Sequence, residues 1–237
     1  MTDLHSHVLP EMDDGSRSLQ ESVEMLNLLA RQKIVRVAAT PHFYANDESV
    51  SEFLERRKLS FERLKKELTP EMPEMLLGAE VRYYEGLSRL DGLKSLCIQG
   101  TRILLIEMPE RKWSEYAVRE LVDIASNRRI IPVLAHIERC IFHQSSETFG
   151  RLLTDGVMMQ INAEFLNGFF SRTKALRLIQ KGQVHFIGSD CHNMRERAPD
   201  IGRAYETLRK KLGEDFSSDF IGFANNLFDN TENISKG

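Results

Sequence analysis

Cysteine is scarce in this chain of 237 residues: only Cys97, Cys140 and Cys191, an odd number at wide spacing. That excludes a disulfide framework and a cysteine-built structural zinc site, and it points to a reducing compartment. Long hydrophobic runs are missing; none approaches the ~20 residues of a membrane-spanning helix. An excess of one charge is missing too. Lys and Arg number 32 against 35 Asp and Glu, a net charge of −3, which gives no support for a general nucleic-acid or membrane-surface binder. No internal repeat, low-complexity stretch or Pro/Gly/Ser-rich linker divides the chain, so one domain over residues 1–237 is expected. A motif that begins at residue 3 leaves no room before it for a signal peptide, and the expected location is the cytoplasm.

What is present starts with Asp3-Leu4-His5-Ser6-His7. In extended backbone, residues two apart point to the same side, so His5 and His7 can hold one cation together. The pair has company. Strand-like apolar runs recur along the chain, and most end in a polar residue able to bind metal. Thr2-Leu4 leads into His5; residues 34–39 lead into His42; residues 75–79 lead into Glu80. Residues 102–106 lead into Glu107, residues 130–135 into His136, and residues 184–188 into Asp190 and His192. A further strand, 157–161, ends near Asn162.

Helical patterns fill the gaps. Ser18-Leu19-Gln20-Glu21 reads as a capping box, with Val23, Leu26, Ala30 and Ile34 as the apolar face that follows. Phe53, Leu54, Phe61, Leu64 and Leu68 lie at helical spacing on a highly charged segment, and further helices fall near 114–128, 171–181 and 200–212, with Gly182 as a C-cap. Alternation of seven strands with helices predicts a parallel α/β sheet. A barrel is preferred to an open sheet because candidate ligands come from nearly every strand, and only closure brings them to one mouth.

The candidate ligands are His5, His7, Asp14, His42, Glu80, Glu107, His136, Asp190 and His192. Alone, a glutamate after a strand is ordinarily a solvated loop residue, and a single histidine is ordinarily structural. Two pairs at alternate positions near opposite ends of the chain, with strand-end ligands between, are not explained that way. Nine N/O donors exceed one tetrahedral site and suit two or three divalent ions; imidazole with carboxylate favours Mn, Fe or Zn over Mg or Ca. Such ions activate water and clamp a phosphoryl or acyl group. Fixed cations nearby, Arg139, Arg195 and Arg197, suit a dianionic phosphate monoester; a neutral amide needs none.

These residues resemble the PHP superfamily of metal-dependent phosphoesterases, and most of all the bacterial manganese-dependent protein tyrosine phosphatases encoded with capsule and exopolysaccharide genes. The resemblance rests on the opening His pair, Met12-Asp13-Asp14-Gly15-Ser16, Ala39-Thr40-Pro41-His42, Gly78-Ala79-Glu80, Leu105-Ile106-Glu107, His136-Ile137-Glu138-Arg139 and Gly188-Ser189-Asp190-Cys191-His192-Asn193, in that order. It implies a distorted (β/α)7 TIM-like barrel of the PHP type and three divalent ions, with Mn expected and Fe or Zn as alternatives. Carried over, His5, His7, Glu80 and Asp190 would hold one ion, Glu80, Glu107 and His136 a second, and Asp14, His42 and His192 a third. Arg139, Arg197 and His42 become the candidate catalytic residues, and Arg139, Arg197 and Arg195 the candidate phosphate-binding ones. A metal-bridging hydroxide would attack phosphorus. The implied partner is a phosphotyrosine protein, a cognate bacterial tyrosine kinase.

Three rivals stand beside this reading. Cys191 and Arg197 have the Cys-x5-Arg spacing of cysteine-dependent tyrosine phosphatases, but the residues between include no glycine to let backbone amides wrap a phosphate. A PHP phosphatase of a small ester, such as histidinol phosphate or a sugar phosphate, would use the same ligands with a deeper site. A metal-binding regulatory barrel would have no use for the arginines. Trp113, Tyr116, Phe165, Phe169 and Phe170 are either core residues or a rim that meets an aromatic substrate.

Overall fold

Two expected strands are each followed by a short second strand, across Pro41 and Gly78. Proline has no amide proton for the ladder, and it separates β2 (Arg36–Ala39) from β3 (His42–Phe43). Gly78 separates β4 (Glu74–Leu77) from β5 (Glu80–Arg82). A Cβ at Gly78 would stand 2.9 Å from Ile98, and the buried Arg57 guanidinium donates to the Gly78 carbonyl at 2.6 Å. The computed structural model describes residues 1–231. Its other strands are β1 (Thr2–Ser6), β6 (Ile103–Glu107), β7 (Ile131–Leu134), β8 (Met158–Asn162) and β9 (Phe186–Gly188). Each of the seven expected runs thus contains a strand, and β3 and β5 continue two of them.

Among the described residues, the strands pair in parallel. One sheet has the order β1-β2-β4 and the other β3-β5-β6-β7-β8-β9. A parallel bridge from Ser6 to Cys191 joins them past the end of β9; there Asp190 N–H donates to the His5 carbonyl at 2.8 Å and His7 N–H to the Cys191 carbonyl at 2.9 Å. The result is a curled parallel sheet with helices outside.

The helices are α1 (Leu19–Arg31), α2 (Val50–Leu64), α3 (Glu115–Ser126), α4 (Ser146–Thr154), α5 (Ala163–Asn167), α6 (Arg172–Gln180), α7 (Ile201–Leu212) and α8 (Glu214–Thr231). Ser18 caps α1 by accepting from Glu21 N–H, but Glu21 reaches Arg17 N–H instead of closing a box. The reciprocal capping box belongs to α2, between Ser49 and Glu52. The buried stripe of α1 is Ser22, Met25, Leu26 and Leu29, rotated from the expected one, with Val23 and Ala30 at its flank. Gly182 ends α6 in a left-handed conformation, φ +65°, as its position predicts.

Period-two alternation sorts the strands into two cores. Leu104, Ile106, Leu134, Met159, Ile161 and Ile187 pack with α1, α3 and α7 on the outer face. Ile103, Leu105, Val133, Ala135 and Phe186 pack with one another on the concave face, and among the described residues the helix that joins them is α8, through Ala224 and Phe228. That helix covers the strand N-termini: Asn225 accepts from Thr2 Oγ1 at 2.9 Å, and Asp229 accepts from Arg36 at 2.8 Å. The opposite, C-terminal end of the concave face is left for polar groups.

Gly188 sits at that transition. A Cβ there would stand 2.8 Å from His5 Cβ and 2.9 Å from Gln160 Nε2. Gly188→Ala is therefore expected to destabilise the fold by about 1–3 kcal/mol, read as a lower midpoint of thermal unfolding. An unchanged midpoint would show that the concave face yields more than its packing implies.

Candidate metal centre

The C-terminal strand ends converge on one buried carboxylate. Glu80 opens β5, and its Oε2 lies 3.1 Å from His5 Nε2, 3.2 Å from His7 Nε2 and 3.2 Å from His42 Nδ1. It hydrogen-bonds none of them, and His42 Nδ1 and His192 Nε2 are likewise buried without a partner. Orphaned buried polar atoms are costly unless something absent from the protein atoms satisfies them. Here acceptors and imidazole lone pairs face a common space, which is the donor set of a cation.

Three groups can be separated. His5, His7, Glu80 and Asp190 form the first. His5 Nε2 and His7 Nε2 are 3.2 Å apart, and Asp190 Oδ1 is 3.4 Å from the one and 3.5 Å from the other. Donors about 2.1 Å from a tetrahedral ion stand about 3.4 Å from one another, so these side chains fit a divalent ion. The second gathers His42, Glu80 and Glu107, with His136 Nε2 2.9 Å from Glu80 Oε1 and 3.7 Å from Glu107 Oε1. In the third, His7, Asp14, His42 and His192 meet; Asp14 Oδ1 is 3.3 Å from His192 Nε2 and 3.7 Å from His42 Nε2. All nine expected ligands are thus brought together, and His7, His42 and Glu80 are shared. His143 and His185 lie outside the groups; His185 Nδ1 accepts from Met159 N–H at 3.1 Å.

Backbone strain helps to aim the donors. His136 and Asp190, just past β7 and β9, have positive φ of 30° and 51°. A left-handed conformation costs a non-glycine residue about 1–3 kcal/mol; here it turns each side chain from the strand direction into the mouth.

Side chains that sequence reasoning passed over hold the donors in place. Asp13 Oδ2 accepts from His7 Nδ1 at 2.7 Å and from His42 N–H at 2.8 Å. This fixes the His7 tautomer so that Nε2 faces the cluster. Gln160 Oε1 pairs with His5 Nδ1 at 3.2 Å and accepts from His136 N–H at 2.9 Å. Asn162 Nδ2 donates to Asp190 Oδ2 at 2.7 Å, Arg82 pairs with Glu107 Oε2 at 2.7 Å, and Tyr44 stacks on His42 with ring centroids 5.3 Å apart. Only the period-two rule could have flagged Gln160 and Asn162, which share a strand face; Arg82 likewise lies two residues beyond Glu80.

Burial disfavours charge on all of these groups, but mutual attraction outweighs it at the centre. His7 is raised well above the usual histidine range, chiefly by Asp13, and His5 is raised by Glu80 and Asp190. Glu80 and Asp190 are held well below the carboxylate range by their imidazole neighbours. His192 goes the other way, down to about 4, through burial and the nearby His7. Glu138 and Asp3, buried with less help, rise to about 7 and about 6.

Arg139 and Arg197 stand at the rim. Both reach Asp190 Oδ2, at 3.2 and 2.6 Å, and Arg197 comes within 3.9 Å of Asp14. Arg195 is not brought to the cluster; its backbone N–H bonds Asn193 Oδ1 and its side chain faces solvent. The Cys-x5-Arg spacing carries no cysteine chemistry. Cys191 is fully buried in the outer core, and burial pushes its thiol far above the range in which a thiolate forms. Trp113 is also core, packed on Phe149, whereas Phe169 and Phe170 are exposed.

Imidazoles and carboxylates from successive parallel strands, closing on shared gaps, define the class: a parallel α/β protein whose strand ends carry groups of donors able to hold metal. The chain belongs to the capsular polysaccharide synthesis CpsB/CapC family, whose model matches residues 1–229. It is 31% identical to the tyrosine-protein phosphatase YwqE of Bacillus subtilis, over 91% of this chain and 86% of that protein. It is 29% identical to the tyrosine-protein phosphatase CpsB of Streptococcus pneumoniae, over 90% and 91%. A chain from the crystal structures of YwqE and CpsB, described as unique metal-dependent tyrosine phosphatases, superposes with a TM-score of 0.83 at 30% identity, covering 97% of this chain and 95% of that one.

Asp13→Asn is expected to weaken divalent-ion affinity about 10–100-fold, measured by competition with a metal-binding dye, while thermal unfolding shows the fold intact. Undiminished affinity would remove Asp13 from the support of His7.

Proposed function

We propose that the chain is a metal-dependent protein tyrosine phosphatase, a phosphoric monoester hydrolase, with three divalent ions in the order of preference Mn, then Fe or Zn. The ligand sets would be His5, His7, Glu80 and Asp190; Glu80, Glu107 and His136; and Asp14, His42 and His192. The nine strand segments are counted as seven, β2 with β3 and β4 with β5, in a single (β/α)7 barrel domain. The substrate would be the phosphotyrosine of a cognate bacterial tyrosine kinase in capsule or exopolysaccharide synthesis, in the cytoplasm. Among the described residues, no helix is long and apolar enough to cross a membrane.

The observation that carries this reading is the pair of guanidiniums at the rim. Arg139 and Arg197 converge on one carboxylate oxygen beside the cradle, where a phosphate's non-bridging oxygens would find paired N–H donors. Ions held in the cradle would supply Lewis acidity, activating water near neutral pH and neutralising phosphoryl charge. The protein does the remainder. Asp13, Gln160 and Asn162 hold the donors in register. The two arginines bind and orient the phosphoryl group, and Tyr44, stacked on His42, offers a wall for the substrate's aromatic ring. The rim is open: Asp14 is 64% exposed and each arginine 36%. That supports a phosphate carried on a polypeptide over a small ester needing a closed pocket.

Hydrolysis of a phosphotyrosine peptide, a phosphoserine peptide and histidinol phosphate, with and without a chelator, tests the proposal. Phosphotyrosine cleavage should vanish on chelation, return with Mn, fall at least about 100-fold in His136→Ala and survive in Cys191→Ser. Faster cleavage of histidinol phosphate would move the substrate to small esters, and loss in a folded Cys191→Ser together with indifference of the wild type to chelation would overturn the metal mechanism.

A further inference from the structure

Acidic residues disappear from one stretch of this mildly acidic chain. Residues 165–189 contain no Asp or Glu and carry Arg172, Lys174, Arg177 and Lys181. All four fall on α6 or its C-cap, and among the described residues none of them makes an ion pair. Arg177 and Lys181 are exposed. Arg172 is tied back to the carbonyls of Leu166 and Asn167, at 3.3 and 2.8 Å.

The same area exposes aromatic rings that belong in no core. Phe142 is 69% exposed, Phe169 80% and Phe170 94%. The Lys174 ammonium sits 2.7 Å from the centre of the Phe142 ring, which joins α6 to the turn after Arg139. Phe170, Lys174, Arg177 and Lys181 line a shallow groove of about 340 Å³. Two chain segments lead from the mouth to the patch. Phe142 is three residues from Arg139, and Phe169 and Phe170 follow α5, which starts directly after Asn162, a hydrogen-bond partner of Asp190.

From this charge and position we infer that the Phe142–Phe170–α6 surface docks an acidic polypeptide segment that flanks the phosphorylated tyrosine. The inference rests on the phosphatase reading and extends it to the substrate's sequence. Unpaired cations attract the acidic flank, and the exposed rings cover its apolar side chains. A polypeptide is favoured over a lipid surface because Phe142 and Phe170 lie a few residues along the chain from Arg139 and Asn162, so an extended segment on the patch can place its phosphotyrosine at the arginines.

The test compares three substrates: a phosphotyrosine peptide flanked by glutamates, its glutamine counterpart, and p-nitrophenyl phosphate, which is too short to reach the patch. The wild type should prefer the glutamate peptide by about tenfold in kcat/KM at low salt, less at high salt. In Arg177→Glu/Lys181→Glu that preference should disappear, and the ratio of glutamate-peptide to p-nitrophenyl phosphate turnover should fall about tenfold. Anisotropy of the labelled peptides reads docking without turnover, so a failure of the phosphatase reading shows as tight, charge-dependent binding with no hydrolysis of any substrate. Equal binding and equal kcat/KM for the two peptides in the wild type would overturn the docking site. So would sedimentation with phosphatidylserine vesicles that the double variant abolishes while the peptides stay indistinguishable.

Discussion

A single carboxylate oxygen, Glu80 Oε2, is buried among three imidazoles that do not hydrogen-bond it. Without a cation this arrangement sets desolvated acceptors against one another, and much of the neighbouring structure serves to hold it. Gly78 breaks the strand just before Glu80, so that β5 starts at the mouth. Pro41 does the same for His42. Asp13 and Gln160 fix the tautomers of His7 and His5 through the ring nitrogens that face away from Glu80. A metal fit at this point makes sense of the breaks, the strain and the supporting polar shell together.

The sheet divides its two ends between stability and chemistry. At the strand N-termini, the concave face is apolar and α8 covers it with Ala224 and Phe228. Toward the C-termini the same columns of side chains turn polar: Ile103 and Leu105 give way to Glu107, and Met158 to Gln160 and Asn162. Period-two geometry thus converts position along a strand into depth in the site. Substitutions at the covered end act on folding, whereas those at the open end act on ion binding at smaller structural cost.

Most of the strands, and all but Asp14 of the nine side chains gathered at their ends, were legible in the sequence because apolar runs that end in His, Asp or Glu write both facts in adjacent residues. The supporting residues were not. Gln160 lies inside an apolar run, and nothing local distinguishes it from a tolerated polar residue; its meaning comes from His5, 155 positions away. Asp13 stood in view beside Asp14, but which of two neighbouring carboxylates faces a metal and which faces an imidazole depends on the turn at Gly15. Helices α4, α5 and α8 escaped a periodicity reading; α5 spans only five residues. Arg195 looked equivalent to Arg197; the backbone N–H groups of both donate to Asn193 Oδ1, and the turn so formed leaves Arg195 exposed and Arg197 at the rim.

The central claim is that this cradle binds a cluster of ions through Glu80. Anomalous diffraction at the manganese edge from Mn-soaked crystals tests it most directly. The account predicts three peaks inside the cradle, two of them bordering Glu80, with that pair lost in Glu80→Gln. A single peak, or a full set that persists without the Glu80 carboxylate, would contradict it.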